Sequence, residues 1–208
     1  TGFPDGPPTR SGPALADNFT GLNMAFAIAM ALYNRMNTGE GQYIDVAMFD
    51  VMFNTLEPHI LFKTMLDVNV TRIGNGDPET LVPYDSWKCK DGYFAAGLAG
   101  DAGWDGFCAV MGRPDLVDDP RFNSNQKRCD NRAELEPIFR EFFLGKTRKE
   151  LQEAFIANKE PNGPGQTIPE MMNMPQPLER DMIIPVDDPA WGKYKASGNT
   201  IKMDNTPP

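Results

Sequence analysis

Apolar residues crowd nearly every face of the stretch from about Asn18 to Met36, among them Phe19, Leu22, Met24, Phe26, Ile28, Met30 and Leu32. That density predicts a helix buried almost all round. Asp17, Asn18 and Thr20 offer N-cap oxygens at its start, and Thr38-Gly39, with Gly41 beyond, stops it. The pattern then changes period. Gln42 to Met48 sets Tyr43, Asp45 and Ala47 against Ile44, Val46 and Met48, an alternation that predicts a short strand. A second apolar helix runs from about Asp50 to Leu66, with a kink or break expected at Pro58. Helix, strand and helix in quick succession are the rhythm of an α/β unit.

Further along, Thr71 to Pro83 reads as a Gly/Pro loop. Ser86 to Lys90 and Tyr93 to Leu98 flank Asp91-Gly92, a hairpin signal. The chain is then mostly helical, over 101–111, about 131–143 and 147–158. The last helix opens on Thr147-Arg-Lys-Glu150, a capping box in which hydroxyl and carboxylate each satisfy an orphan N–H. A Pro/Gly stretch from Pro161 to Gly165 precedes a short Met-rich helix at 168–173, and strands are expected near Met182–Val186 and Ile201–Met203. The composition shifts near residue 70, which divides the chain into 1–70 and 71–208.

Charge narrows the classes of partner. The 208 residues carry 29 acidic and 20 basic side chains, a net charge of -9. With no basic patch to neutralise phosphates, neither nucleic acid nor an anionic membrane is expected to bind. The longest uninterrupted apolar run, Met24 to Tyr33, is about half the ~20 residues of a spanning helix. Cys89, Cys108 and Cys129 are odd in number and widely spaced, so neither a disulfide framework nor a zinc pair is read from them. Reduced thiols and a cytoplasmic location are the expectation, with no metal. Residues 1–14 hold four prolines and three glycines, without the basic and apolar regions of a signal peptide. The chain starts on Thr1 and stops on Thr206-Pro207-Pro208, and both ends read as cuts through a longer protein.

Several short segments follow one another in a recognisable order. They are Thr1-Gly-Phe-Pro-Asp-Gly-Pro-Pro-Thr-Arg10; Ala16-Asp17-Asn18-Phe19-Thr20-Gly21; and Arg35-Met-Asn-Thr-Gly-Glu-Gly-Gln-Tyr-Ile-Asp-Val46. After these come Gly74-Asn75-Gly76-Asp77-Pro78, Pro83-Tyr84-Asp85, Lys90-Asp-Gly-Tyr93, Asp119-Pro-Arg-Phe122 and the stretch from Leu178 to Pro189. The ordered set resembles the class III CoA-transferases, a family that includes formyl-, carnitine- and bile-acid CoA-transferases and the α-methylacyl-CoA racemases. The resemblance covers essentially the whole chain. It implies an α/β fold, with part of a Rossmann-like large domain in 1–70 and a smaller α+β domain in 71–208. The N-terminal region of the family and its C-terminal closing segment have no counterpart here.

The same resemblance implies the chemistry. An aspartate just before the long helix is the family's covalent nucleophile, and the matching position is Asp17. A carboxylate that attacks the thioester carbonyl of an acyl-CoA gives a mixed anhydride and a CoA thiolate. CoA then re-adds, and an incoming carboxylic acid leaves as the new CoA ester. Coenzyme A thioester is thus a substrate, no cofactor is permanently bound, and the parent enzyme is implied to be an interlocked homodimer. Gly74, Asn75 and Gly76 match the region where some members carry a mobile glycine loop over the site; a turn between domains is the plainer reading. A racemase of α-branched acyl-CoAs on the same fold is the alternative activity, and a silent fragment that only binds or assembles is the alternative of another class. His59, the only histidine, does not match the racemase histidine, which lies upstream. Asp45 and Asp50 read as strand-edge and cap residues, and Met171, Met172 and Met174 as adaptable packing. Gly165 stands where the family commonly has an apolar residue, and Pro177 interrupts a stretch that is usually more helical.

Overall fold

The computed structural model describes residues 2–77 and 80–206; Thr1 and Pro78 of the motifs above lie outside them. The chain forms two compact units, Thr1–Asp77 and Pro78–Pro208.

The first unit is helical. α1 runs Leu15–Thr38, α2 Met48–Asn54 and α3 Glu57–Leu66. α1 begins earlier than the cap residues suggested. Its N-cap is Ala14, with no side-chain cap bond, because Pro13 sets the entry and the Asn18 amide already donates to Ala14 O at 3.0 Å. Its end is as expected: Gly39 takes a left-handed φ of 79° and its N–H closes on Arg35 O.

The expectation of a helix buried all round is corrected, since no residue of α1 is buried. Only Ala16, Thr20, Met24, Ala27 and Ala31 are half-buried, a stripe at three- and four-residue spacing of the kind that faces one neighbour. α1 packs on α2. By length and composition alone, with a mean hydropathy of 1.3, α1 also matches a membrane-crossing helix. Counting only the run to Tyr33 underestimates it, because single polar residues do not end the helix.

The strand expected at 42–48 is absent. Ile44 and Val46 are half-buried while their neighbours are exposed, so the alternation is real. An extended segment becomes a strand only with a hydrogen-bonded partner, and none stands beside it among the described residues. Met48 is instead the first residue of α2. The break in the second helical stretch falls at Thr55–Leu56, and Pro58 lies in the first turn of α3, where a missing N–H costs nothing.

In the second unit the order is β1 (Tyr84–Cys89), β2 (Gly92–Gly97), α4 (Trp104–Met111), a 3-10 turn at Pro114–Leu116, α5 (Asn125–Asp130), α6 (Arg132–Leu144), α7 (Arg148–Ala157) and β3 (Asn162–Pro164). After these come α8 (Ile168–Met171), α9 (Pro175–Glu179), β4 (Ile183–Asp188) and β5 (Gly192–Ser197). β1, β2 and β3 form one antiparallel sheet in that order, and β4 and β5 a separate antiparallel ribbon. The first hairpin pairs Cys89 with Gly92, so its turn is Lys90-Asp91, one residue earlier than the Asp-Gly signal. The capping box at Thr147 and Glu150 forms as expected. The last strand does not lie at Ile201–Met203: Ile183 pairs with Ser197 and Asp188 with Gly192.

An aromatic cluster makes the core. Trp87 stacks on Phe143 with centroids 4.6 Å apart and planes 2° from parallel. Phe107 meets Phe155 edge-on at 5.3 Å and Phe139 at 5.8 Å. Rings of this size bury ~150–250 Å² each, enough to hold the hairpin, α4, α6 and α7 together. Gly165 explains its own departure from the family pattern. Its N–H donates to Tyr93 O at 2.7 Å, and a Cβ there would stand 3.0 Å from that same oxygen.

Candidate functional site

Asp17 is the third residue of α1, inside the first turn rather than before it. The reading of Asp17 as a helix cap is therefore corrected. The first-turn N–H groups and the helix dipole favour an anion at this position. Asp17 is exposed, and no hydrogen bond or ion pair engages its carboxylate among the described residues. One turn on, Thr20 Oγ1 is shielded from solvent and has no hydrogen-bond partner among the described residues.

Gly74, Asn75 and Gly76 form a turn near the end of the same unit. Gly74 has φ +78°, and the Phe3 ring lies 3.0 Å from where a Cβ would sit. Both facts restrict the position to glycine. Gly76 is buried, whereas Asn75 is exposed. The turn is tied to the start of the chain: the Gly74 amide donates to Gly2 O at 3.1 Å. Arg72 donates from Nε to Phe3 O at 3.3 Å, and from Nη2 to Pro4 O at 3.3 Å and Gly6 O at 2.7 Å. Residues 7–14 then lead from this knot into α1. The motifs at the two ends of the first unit thus meet in one knot, and Arg72, which the sequence reading passed over, holds it. Its position two residues before a Gly-Asn-Gly turn was the available signal.

The other candidates separate from this knot. His59, Asp45 and Asp50 are exposed, and Asp50 borders a cavity of about 280 Å³ with Glu57. Two carboxylates there are ill suited to the phosphates of a nucleotide. Burial pushes the Cys108 thiol up to about 12 and also raises Cys89, so neither supplies a thiolate nucleophile near neutral pH. Met171, Met172 and Met174 line an open cavity of about 650 Å³ with Met182 and Arg180 in the second unit. No cluster of groups that would hold a metal ion occurs among the described residues.

Two arginines of the second unit serve structure. Arg128, fully buried, donates to three backbone carbonyls. Arg148 joins Glu170 at 2.7 Å and approaches Asp91 at 3.6 Å, clasping the hairpin turn to the chain that leads into α8. Nothing in a single sequence marks either, since both await contacts from distant segments.

Comparison with known proteins places these features. The profile described as CoA-transferase family III matches residues 1–208. The chain is 34% identical over 209 residues to a succinyl-CoA:mesaconate CoA-transferase of Haloarcula marismortui, covering 100% of this chain and 52% of that protein. It is 33% identical over 204 residues to an acetyl-CoA:oxalate CoA-transferase of Acetobacter aceti, covering 98% of this chain and 51% of the relative. The chain therefore spans about half the length of the curated relatives it matches. Among solved structures, a CAIB/BAIF family protein from Brucella suis superposes with a TM-score of 0.78 at 32% identity, over 100% of this chain and 53% of the other. A protein from M. tuberculosis superposes with a TM-score of 0.82 at 25% identity, over 100% and 54%. The fold class is α/β, as expected. With the profile matched from end to end, the chain belongs to CoA-transferase family III.

Proposed function

We propose that this chain carries the nucleophile of an enzyme that transfers coenzyme A from an acyl-CoA to a carboxylic acid, and that Asp17 is that nucleophile. The observation that carries the reading is the carboxylate of Asp17, exposed and unpaired at the positive end of a 24-residue helix. The positive end of the helix dipole favours a negative charge there, and no ion pair engages the carboxylate among the described residues.

In the reaction, an Asp17 oxygen adds to the thioester carbonyl carbon, the C–S bond breaks, and CoA leaves as its thiolate. The thiolate attacks the aspartyl carbonyl of the mixed anhydride, which releases the donor acid as a carboxylate and leaves an aspartyl-CoA thioester. The acceptor carboxylate attacks that thioester and expels the thiolate again. The thiolate finally attacks the acceptor's acyl carbon, giving the new acyl-CoA and restoring Asp17. Each step exchanges one acyl–oxygen or acyl–sulfur bond for another, so no metal or redox cofactor is needed. The Haloarcula relative is named for succinyl-CoA and mesaconate and the Acetobacter relative for acetyl-CoA and oxalate, which supports a small carboxylic acid as acceptor.

The same reading takes residues 1–70 as a portion of the large domain and 71–208 as the small domain with a returning segment. It places the enzyme in the cytoplasm as an interlocked homodimer, apart from nucleic acid and membrane. The exposed apolar side chains of α1, among them Phe26 and Met36, support a second chain packing over that helix. Hydroxylamine or borohydride trapping during turnover, followed by mass spectrometry, tests the nucleophile. An adduct on the peptide bearing Asp17 is expected. Substrate α-epimerised with no adduct would mean a racemase instead.

A further inference from the structure

We infer that Arg72 is a positioning residue for acyl-CoA binding, because it fixes the Gly74-Asn75-Gly76 turn against the first residues of the chain. The inference rests on the transferase reading for the identity of the ligand, but its geometry stands alone. Three carbonyl oxygens, of Phe3, Pro4 and Gly6, converge on one guanidinium. A fourth bond, from the Gly74 amide to Gly2 O, runs beside them, and the Phe3 ring closes over Gly74.

No carboxylate pairs with Arg72 among the described residues. Its fork is spent on backbone oxygens, a use that needs several donors fixed in one plane. A lysine ammonium is a compact point charge on a flexible stem and cannot span the same three acceptors. The outcome for the turn is specific: Gly76 is buried, Gly74 is pinned under an aromatic ring, and Asn75 alone is presented to solvent. Asn75 offers two amide donors and a carbonyl, groups suited to the pantetheine amides or the thioester oxygen of a CoA ligand. The knot takes up the conformational freedom of a glycine-rich turn before any ligand arrives, so binding does not have to supply that ordering.

The test uses Arg72→Met, Arg72→Lys and the control Asp17→Asn, each assayed for acetyl-CoA and succinyl-CoA affinity, steady-state transfer and amide hydrogen exchange. In Arg72→Met the Gly74 amide is expected to exchange about tenfold faster or more, with α1 and the β1–β2 amides unchanged. Acyl-CoA affinity falls and its KM rises about tenfold, while kcat stays within about threefold. Arg72→Lys recovers little of either. Unchanged affinity beside faster exchange reduces Arg72 to a structural clamp and overturns the proposal; so does unchanged exchange at Gly74, or full rescue by lysine. Asp17→Asn separates the two readings. Transfer surviving in that variant sinks the nucleophile, whereas the affinity of the Arg72 variants decides the role of Arg72 whether or not transfer occurs.

Discussion

The guanidinium of Arg128 lies over the Trp104 ring, 4.7 Å from its centroid, and the indole's own N–H donates to Leu116 O at 3.2 Å. Arg128 also donates to Val82 O at 2.7 Å, Gly100 O at 2.8 Å and Phe122 O at 3.0 Å. Its one acidic partner among the described residues, Asp101, is largely solvated. The buried charge is therefore held mainly by carbonyl dipoles and a ring face, and it joins three loops that share no secondary structure.

Arg128→Met is expected to destabilise the chain by about 3–5 kcal/mol, because three carbonyls, two of them fully buried, lose their donor together. Arg128→Lys restores only part of that. Urea unfolding followed by tryptophan fluorescence measures both, and a loss under about 1 kcal/mol for the methionine variant would contradict the role given to these bonds.

Asp17→Asn separates stability from chemistry. Among the described residues the side chain has no partner to lose, so only its favourable place near the helix dipole is at stake, less than about 1 kcal/mol. Transfer is expected to fall about a thousandfold or more, since an amide is no nucleophile toward a thioester. Thermal unfolding and a CoA-transfer assay on the same preparation check the pair.

Acid stability should depend on the Arg148 clasp. Hydrogen bonds from Arg148, and then from the Thr167 N–H and hydroxyl, pull Glu170 from the ordinary 4.5 down to about 2. A lowered carboxylate pKa stabilises the fold fully above the unfolded value, and the gain is lost as pH falls through 4.5 toward about 2. Glu170→Gln is expected to flatten the stability curve across that window. An acid limb equally steep in the variant argues against the clasp.

The aromatic core offers a contrast of large and small effects. Phe143→Ala removes a fully buried ring stacked on Trp87 and is expected to cost about 3–5 kcal/mol. Phe49→Ala removes a ring that is 77% exposed and should fall within about 0.5 kcal/mol. Chemical denaturation of the two variants side by side reads the difference.

How much the sequence disclosed follows how local each feature is. The capping box of Thr147 and Glu150, the Gly39 stop and the first hairpin were legible because each is settled within a few residues. The strand at 42–48 was misread because alternation reports burial, while a ladder needs a partner elsewhere. The ribbon strand at 192–197 was missed for the opposite reason: Lys193, Tyr194 and Lys195 are exposed, and only pairing with β4 makes them a strand. At the candidate site, Asp17 and the Gly74 turn were visible as motif residues. Arg72 was not, since its partners lie 66 to 69 positions away along the chain.

The β4–β5 ribbon has a further consequence for how the molecule behaves in a crowded solution. A two-stranded ribbon leaves a free edge on each strand, an invitation for other chains to add strands and aggregate. Here Pro185 removes a donor from β4, Asp187 and Lys193 sit 3.8 Å apart across the ribbon, and Asp188 and Lys195 add charge of both signs. An incoming strand would have to desolvate those charges without a fixed partner for each. The ribbon thus discourages growth into a larger sheet, and keeps a chain with so much exposed apolar surface from sticking to its neighbours through its backbone.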